Sequence, residues 1–437
     1  MSLKALERVQ LLRMVRNRMS QITAKPHGPN RLAGFLAVFG PGLVVMLADT
    51  DVGSIITAAQ SGVQWGYRLL ALQFVLMPIL YIVQELTVRL GVHTGRGHGE
   101  LIRQSFGAIW AWISVSGLVV ASLGAILTEL SGVAGVGELY GISRAVTLPL
   151  AALALILIVL TGSYRRVERA AIAVGLFELA FFAVAWAAGP DAGTMARQAV
   201  QIPISNSDYL YLVAANIGAV IMPWMVFYQQ SAIADKKLRP EHLTAARWDT
   251  AVGAVVTQLI MAAVLVAAAA TLAPNGTAIG DAPSLSTVGE VSQALTPLMG
   301  PVFGRAVFSA GVLGAGLVAA IVASLALAWG LGEVAGYKRS LELRPLQARW
   351  FYGTYAAAVM LAAVLVGVVP DLVSLNVGVQ VMNALMLPLV LGLLVLLAVK
   401  ALPPSVRLRG WYLWLVVAVC GLTSALGVWG GLSGLFD

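Results

Sequence analysis

Apolar residues in this chain gather into eleven long runs that are separated by short polar segments. An α-helix needs about 20 apolar residues to cross the roughly 30 Å hydrocarbon core of a membrane, and the runs are close to this length or longer. The pattern therefore predicts an all-α polytopic membrane protein with eleven transmembrane helices. In chain order, predicted helices 1 to 11 cover residues 34–63, 69–92, 107–131, 146–163, 170–189, 208–232, 250–273, 301–333, 350–369, 372–399 and 411–433.

Two of these predicted helices are interrupted near their middle. Predicted helix 1 contains the polar stretch Ala48–Ser54, and predicted helix 6 contains Pro223, which has no N–H to donate and clashes with the preceding turn. The two helices hold equivalent places in two sets of five, which is typical of inverted-repeat transporters whose substrate site lies between two unwound segments. We predict a first five-helix repeat at 32–189, a second at 208–400 and an additional helix 11 at 411–433.

Composition agrees with a membrane protein and excludes several other classes. Of the 437 residues, 59% are apolar and only 11% are charged, whereas an ordinary soluble domain carries about 25% charged residues. The net charge of +8 does not indicate a nucleic-acid-binding protein, because the sequence shows no soluble module that would read bases. Cys420 is the single cysteine, so neither an intrachain disulfide nor a cysteine metal cluster is available. We predict no resident cofactor.

The distribution of basic residues predicts the topology. The segment 1–31 holds seven Lys/Arg residues against one acid, Glu7, and we interpret it as a basic cytoplasmic segment rather than a signal peptide. With this segment inside, the cytoplasmic regions collect 24 of the 28 Lys/Arg residues, as the positive-inside rule requires. An odd helix count then places Asp437 outside, in what we expect to be a bacterial inner membrane. The polar loops at 189–207 and 273–296 fall outside, the second with a short helix at Val288–Leu295.

Candidate chemistry lies at the two interruptions. Asp49 and Asp51 stand at a depth where charge is costly, and intramembrane carboxylates usually face a ligand or an aqueous path. The unwound backbone should expose carbonyl groups, for which we choose Ala48 and Ala219. Carbonyl and carboxylate oxygens together make a site that suits a cation. Glu85, Glu129 and Glu178 are further intramembrane acids, each equally compatible with an aqueous path or a structural role.

The run from Gly40-Pro41-Gly42 to Gly62, the segment Arg89–Gly95, the run Gly218–Pro223 and Gln380-Val381 resemble the natural resistance-associated macrophage protein (NRAMP) family of divalent-metal transporters. The resemblance implies a LeuT-like fold with broken helices 1 and 6. It also implies an ion site with Asp51 as the anionic ligand, carbonyls of Ala48 and Ala219, the Met222 thioether and the Gln380 amide.

This chain departs from the family pattern at the ion and proton positions. Ser54 stands where the family has a metal-binding Asn, Trp224 and Gln229 stand where it has histidines, Gly132 replaces the second acid of helix 3, and Asp49 is additional. A hydroxyl reaches less far than an amide, which leaves room for coordinated water, and Mg²⁺ commonly keeps several waters. Met222 would favour a softer metal, and an apolar packing role is equally compatible with its position. The departures resemble the NRAMP-related magnesium transporters.

From these observations we predict a non-enzymatic uptake system for divalent cations that prefers hydrated Mg²⁺, also takes Mn²⁺ and works by alternating access without proton coupling. One alternative is a proton-coupled Mn²⁺/Fe²⁺ importer of the ordinary NRAMP type. Another is an organic-solute or amino-acid transporter of the same fold, whose carboxylate substrate Asp49 and Asp51 would repel. A non-transporting sensor stays open, as does the oligomeric state.

Overall fold

The computed structural model describes residues 40–161, 163–272, 285, 287–295, 300–369 and 371–436, and the basic segment 1–31 lies outside them. Within these residues all regular structure is helical. In chain order the α-helices are α1 Pro41–Asp49, α2 Val52–Trp65, α3 Leu70–Thr94, α4 His98–Phe106, α5 Ala108–Leu139, α6 Arg144–Leu160, α7 Tyr164–Gly175, α8 Ala180–Ala187, α9 Ala192–Ala199, α10 Ser207–Val220, α11 Pro223–Asp235, α12 Leu243–Leu272, α13 Val288–Leu295, α14 Pro301–Ala335, α15 Arg349–Val368, α16 Leu372–Lys400 and α17 Gly410–Phe436.

Nine helical stretches of the described chain are long and apolar enough to cross a membrane. One of them, Val52–Thr94, joins α2 and α3 through a 3₁₀ turn, and α6 is a shorter apolar helix. The structure thus confirms an all-helical membrane architecture, while the count of eleven crossings stays a prediction. The short helix expected at Val288–Leu295 is present as α13.

Two short helices replace segments that the sequence analysis left without regular structure. The predicted loop 189–207 contains α9, whose N-cap residue Asp191 accepts a hydrogen bond through its side chain from the backbone N–H of Thr194 (2.8 Å). Proline and glycine before this cap end the preceding helix, but an acidic N-cap starts a new one at once. Between α3 and α5, α4 begins after Gly97.

Both predicted interruptions are present. Predicted helix 1 is divided into α1 and α2, with Thr50 and Asp51 outside helical geometry, and predicted helix 6 is divided into α10 and α11 at Ile221 and Met222. Pro223 occupies the first turn of α11, where its missing N–H costs nothing because that position has no intrahelical acceptor. Each break therefore leaves carbonyl groups of one half-helix and N–H groups of the next without helical partners.

Close packing brings α16 to these breaks. Gly218 of α10 lies directly against the backbone carbonyl of Gln380 in α16, so that a Cβ atom at position 218 would overlap that oxygen. Gly53 in α2 makes a similar approach to the Gln380 side chain. Glycine at both positions is what allows α16 to place Gln380 beside the interruption of predicted helix 1.

The first turn of α1 is fixed by a residue distant in sequence. Asp249 of α12 accepts hydrogen bonds from the backbone N–H groups of Gly40 (3.1 Å), Gly42 (2.8 Å) and Leu43 (3.1 Å). A carboxylate at this position satisfies otherwise unpaired amide groups and favours the positive end of the helix dipole. This end of α1 is the one that our topology places on the cytoplasmic side.

Candidate metal site

The two helix breaks meet through a hydrogen bond between predicted ligands. The Ser54 hydroxyl, on the first turn of α2, donates to the backbone carbonyl of Ala219 near the end of α10 (3.0 Å). Both residues are buried. Ala48, also buried, lies in the last turn of α1, where carbonyl groups lack intrahelical donors. The structure thus brings together residues of both interruptions, as the sequence pattern predicts.

Asp51 occupies the N-cap position of α2 and has one engaged and one unengaged oxygen. Oδ1 accepts hydrogen bonds from the Ser54 backbone N–H (2.6 Å) and from Nε2 of Gln380 (3.4 Å). Oδ2 accepts no hydrogen bond from an amide or hydroxyl group among the described residues, although the side chain is 0% exposed, and the Glu129 carboxyl group is near enough to share a hydrogen bond with Asp51 when one of the two is protonated. A buried carboxylate oxygen without a donor is costly unless a cation or a proton compensates it. Oδ2 is therefore available for a ligand.

Gln380 presents its amide nitrogen, not its oxygen, toward Asp51. Its Oε1 atom accepts a hydrogen bond from Nδ2 of Asn383 (2.9 Å). The resemblance to the family implies an amide oxygen at the ion, which in this arrangement requires Gln380 to rotate and to give up the Asn383 hydrogen bond. Gln380 here acts as a hydrogen-bond donor that orients Asp51.

Met222 and Asp49 complete the set of predicted ligands. Met222 is the N-cap residue of α11 and is 0% exposed, so its thioether is held at the second break. Asp49 ends α1 at 1% exposure, and neither of its carboxylate oxygens has a hydrogen-bond partner among the described residues. The site therefore offers carboxylates, carbonyls, a hydroxyl and one sulfur.

Glu129 of α5 enters the site in a way that the sequence did not specify. Its Oε2 atom accepts a hydrogen bond from the backbone N–H of Val52 (3.1 Å), and its Oε1 accepts one from the Thr128 hydroxyl (3.1 Å). Glu129 thus caps α2 together with Asp51, and the two carboxyl groups interact electrostatically. This interaction forms only because α5 packs close to the start of α2. In the sequence, the only sign of it is an acid within an apolar run.

One turn along α5, the missing second acid has a steric explanation. A Cβ atom at Gly132 would lie 2.5 Å from Cγ1 of Val52. Any larger side chain there would displace α2, which carries Ser54. The close contact of α5 with α2 therefore excludes an acid at position 132 in this arrangement.

Several candidate polar residues lie away from the site. The Gln229 side chain accepts a hydrogen bond from Thr87 (2.7 Å) and donates one to Thr250 (2.8 Å), which joins α11 to α3 and α12. Glu85 forms ion pairs with Arg89 (2.9 Å) and Arg247 (2.6 Å), and these two arginines compensate its charge.

The described residues contain no group of three or more His, Cys, Asp or Glu side chains placed to hold a metal ion. A cation at Asp51 would therefore rely on backbone carbonyls, the hydroxyl or thioether, and water. Such a mixed set of ligands, with few charges, fits an ion that keeps part of its hydration shell and is bound only transiently, rather than a permanently bound structural metal.

Comparisons with known proteins agree with this architecture. A profile of the family described as natural resistance-associated macrophage protein-like (Nramp) matches residues 42–433. The divalent metal cation transporter MntH of Agrobacterium fabrum (strain C58 / ATCC 33970) is 27% identical over 307 residues, which cover 67% of this chain and 65% of that relative. The chain thus spans somewhat less than two thirds of that relative's length.

Solved structures show the same fold. The manganese transporter of Eremococcus coleocola superposes with a TM-score of 0.73 at 19% identity over 94% of this chain and 90% of that one. MhsT, solved in complex with L-phenylalanine, superposes with a TM-score of 0.60 at 14% identity over 90% and 98% of the two chains. At these identities the likeness establishes a LeuT-type fold. Because the family profile covers most of the sequence, the chain belongs to the natural resistance-associated macrophage protein family of integral membrane transporters.

Proposed function

We propose that this protein carries divalent metal cations across the membrane by alternating access, with Asp51 as the anionic ligand. Family membership supports this function, as do the relatives that are named divalent metal cation and manganese transporters. The observation that carries the proposal is the buried, unengaged Oδ2 atom of Asp51 at the meeting point of two broken helices. We assign Ala48, Ser54, Ala219, Met222, Asp49 and Gln380 to the same site.

We further propose that the preferred ion is Mg²⁺ with part of its hydration shell, and that Mn²⁺ is also carried. Ser54 supports this preference because its hydroxyl is short and is already drawn to the Ala219 carbonyl, which leaves more room at the ion than an amide side chain would. Mg²⁺ gives up its water reluctantly and is usually held by one or two carboxylates. Asp51 is one such ligand.

We also propose that transport proceeds without obligatory proton movement. The positions at which the family resemblance expects histidines hold Trp224 and Gln229, and neither side chain titrates. Gln229 is fixed by hydrogen bonds to Thr87 and Thr250, and Trp224 is completely buried. These two side chains therefore offer no titrating group that could pass protons along the described part of α11.

A second candidate function is proton-coupled import of Mn²⁺ or Fe²⁺. The observation in its favour is Glu129, a buried carboxyl group that interacts electrostatically with Asp51. The family resemblance implies that Glu129 is the retained first acid of the helix 3 pair that helps carry protons, of which Gly132 replaces the second. An organic-solute transporter receives no comparable support. The likeness to MhsT concerns the fold, and Asp49 and Asp51 at the break would repel a substrate carboxylate.

The topology that accompanies this proposal keeps eleven transmembrane helices, an inverted relation between the repeats 32–189 and 208–400, and helix 11 at 411–433. The N-terminus lies in the cytoplasm and the C-terminus outside a bacterial inner membrane. The charge distribution supports this orientation, because 24 of the 28 basic residues then lie inside.

Ion uptake into proteoliposomes tests the function directly. Wild-type protein should admit Mg²⁺ and Mn²⁺, measured with internal metal-sensitive dyes, whereas Asp51→Asn should reduce uptake to the level of protein-free liposomes. The asparagine keeps the N-cap, so the variant should still fold. Asp191→Asn is the matched control, since Asp191 caps α9 at an exposed position, and its uptake should equal that of the wild type. Full uptake by Asp51→Asn would refute the proposed ion site.

A further inference from the structure

Close to Asp51 lies Glu178, an acidic side chain that the site described above does not use, and Asp49, already assigned to that site, also faces it. Glu178 of predicted helix 5 is 0% exposed, and neither of its carboxylate oxygens has a hydrogen-bond partner among the described residues. The same is true of both oxygens of Asp49 at 1% exposure. No backbone, amide or charged donor thus reaches these four buried carboxylate oxygens, and the nearest donors are the hydroxyls of Thr257 and Thr50.

Two hydroxyl groups link these carboxyl groups. The hydroxyls of Thr50 and Thr257 are 2.6 Å apart, with the Thr257 hydroxyl next to Asp49 and the Thr50 hydroxyl next to Glu178. Both threonines are buried. The four side chains form a continuous set of oxygen ligands contributed by the end of α1, the break that follows it, α12 and the segment that carries Glu178.

The backbone around Glu178 departs from regular α-helix at this point. Between α7 and α8, residues Leu176–Leu179 form a 3₁₀ turn. A 3₁₀ stretch in mid-helix marks local strain or a functional hinge. One turn earlier, a Cβ atom at Gly175 would lie 2.9 Å from Cδ1 of Leu47, so glycine there lets the helix approach α1. The local geometry thus delivers Glu178 to the end of α1.

The charge of this group is not balanced by protein cations. Among the residues that the structure describes, no Lys, Arg or His side chain forms an ion pair with Asp49 or Glu178. Burying one uncompensated carboxylate costs several kcal/mol even after relaxation, and Asp51 adds a third negative group nearby. A bound cation, or protons on the carboxyl groups, would compensate this cost.

We propose that Asp49, Glu178, Thr50 and Thr257 form a second binding site, adjacent to Asp51, for a hard divalent cation. The donor set contains only oxygen, without sulfur or nitrogen, which selects Mg²⁺-like ions over softer transition metals. Two carboxylates match a double positive charge. The proposal deepens the proposed function, because it adds a second ion next to the transported one. It rests on that function, since divalent cations must be able to enter the protein as far as Asp51 to reach the second site.

Binding stoichiometry of the purified full-length protein tests the second site. Mn²⁺ serves as the probe because its free form is counted by electron paramagnetic resonance, and Mg²⁺ serves as the competitor. Wild type should bind two ions per chain, and Glu178→Gln and Asp51→Asn should each bind one. Glu241→Gln, an exposed cytoplasmic position with the same substitution, should bind two. One ion in the wild type, or two in Glu178→Gln, would overturn the second site.

A second measurement separates ligand binding from a merely structural role. In the presence of a chelator, Glu178→Gln should unfold at a higher temperature than the wild type, because it removes an uncompensated buried charge, and it should show a smaller Mg²⁺-induced rise. A lower midpoint with an unchanged Mg²⁺-induced rise would show a structural role and contradict the proposal. If two ions bind as expected but liposomes show no uptake, the proposed function fails while the second site stands.

Discussion

At the scale of single residues, Ser54 combines two roles that depend on its small size. Its backbone N–H binds the Asp51 carboxylate and its hydroxyl binds the Ala219 carbonyl, so one residue fixes the α2 cap and links both breaks. An amide side chain at this position would extend beyond the carbonyl and could offer its own oxygen to an ion. The size of this side chain should therefore set how many waters the ion keeps.

We expect Ser54→Asn to shift selectivity toward Mn²⁺. The longer side chain should supply one direct ligand in place of water, and a preference gained in this way of about 1.4 kcal/mol corresponds to a tenfold change in the ratio of Mn²⁺ to Mg²⁺ uptake. Competition uptake in proteoliposomes measures the ratio. Ser433→Asn, the same exchange near the end of α17 and away from the site, should leave it unchanged. An unaltered ratio in Ser54→Asn would argue against Ser54 as a selectivity residue.

His98, at the start of α4 and outside the membrane-spanning helices, provides a prediction on pH. Its ring is 0% exposed, and its Nδ1 is paired with Oε1 of Gln230 (2.9 Å). Burial lowers the pKa of His98 from 6.5 to about 4. A lowered pKa means that the folded state favours the neutral ring, so stability is complete above pH 6.5 and falls as the pH drops toward 4.

Between pH 7 and pH 4 this linkage corresponds to about 3 kcal/mol of lost stability for the folded protein. We expect the thermal midpoint of His98→Gln to depend less on pH over this range than that of the wild type, because the glutamine does not titrate. His242→Gln, at a partly exposed position, is the control and should follow the wild-type curve. Parallel curves for His98→Gln and wild type would show that His98 does not carry the dependence.

The residues that lie at the two helix breaks were largely predictable from the sequence, but their contacts were not. Asp51, Ser54 and Ala219 stand out in sequence because polar or small residues interrupt apolar runs, and the structure places them together. The orientation of Gln380 and the cap formed by Glu129 depend on rotamers and on helix packing across 329 and 77 residues of sequence separation. No local pattern encodes such approaches.

At the scale of secondary structure, the half-helix α1 is held at each end by a different mechanism. Its first turn is bound by Asp249 of α12, and its last turn stops at the polar break. Proline, glycine and acidic residues predicted the break, whereas the cap came from a residue more than 200 positions away. Nine residues of helix are marginal without such support. The Asp249 cap should therefore govern how firmly α1 closes against α12.

We expect Asp249→Asn to loosen the first turn of α1. Asparagine keeps one acceptor oxygen but loses the second and the negative charge, which should cost about 1–2 kcal/mol. A cysteine introduced at Leu43 should then react faster with a membrane-impermeant thiol reagent applied from the predicted cytoplasmic side. Cys420 is buried and sets the background. Asp371→Asn, which alters the N-cap of α16 instead, should leave the rate unchanged, and an unchanged rate in Asp249→Asn would exclude the cap as the control of α1.

At the scale of the whole molecule, apolar run length was enough to locate the nine helical stretches of the described chain that could cross a membrane, because a helix in hydrocarbon must satisfy its own backbone. Apolar run length did not predict short helices such as α4 and α9, because these helices are polar and depend on caps. The charge distribution predicts an orientation but not the path of an ion. The path that we propose depends on where polar groups are buried. Four acids are buried around the end of α1 and the start of α2, namely Asp49, Asp51, Glu129 and Glu178.

This concentration of buried acids, with tryptophan and glutamine at the expected histidine positions, leads to a prediction about energy coupling. A divalent cation that enters a negative interior at 100 mV gains roughly 4.6 kcal/mol, twice the 2.3 kcal/mol of a single charge. This is enough to drive net entry without protons.

Proteoliposomes with an internal pH dye should therefore show Mg²⁺ entry that rises with the imposed potential and no acidification beyond that of protein-free liposomes. Glu129→Gln should retain this uncoupled entry. Acidification that follows Mg²⁺ uptake and disappears in Glu129→Gln would instead establish Glu129 as a proton carrier beside Asp51 and assign the protein to the proton-coupled mechanism.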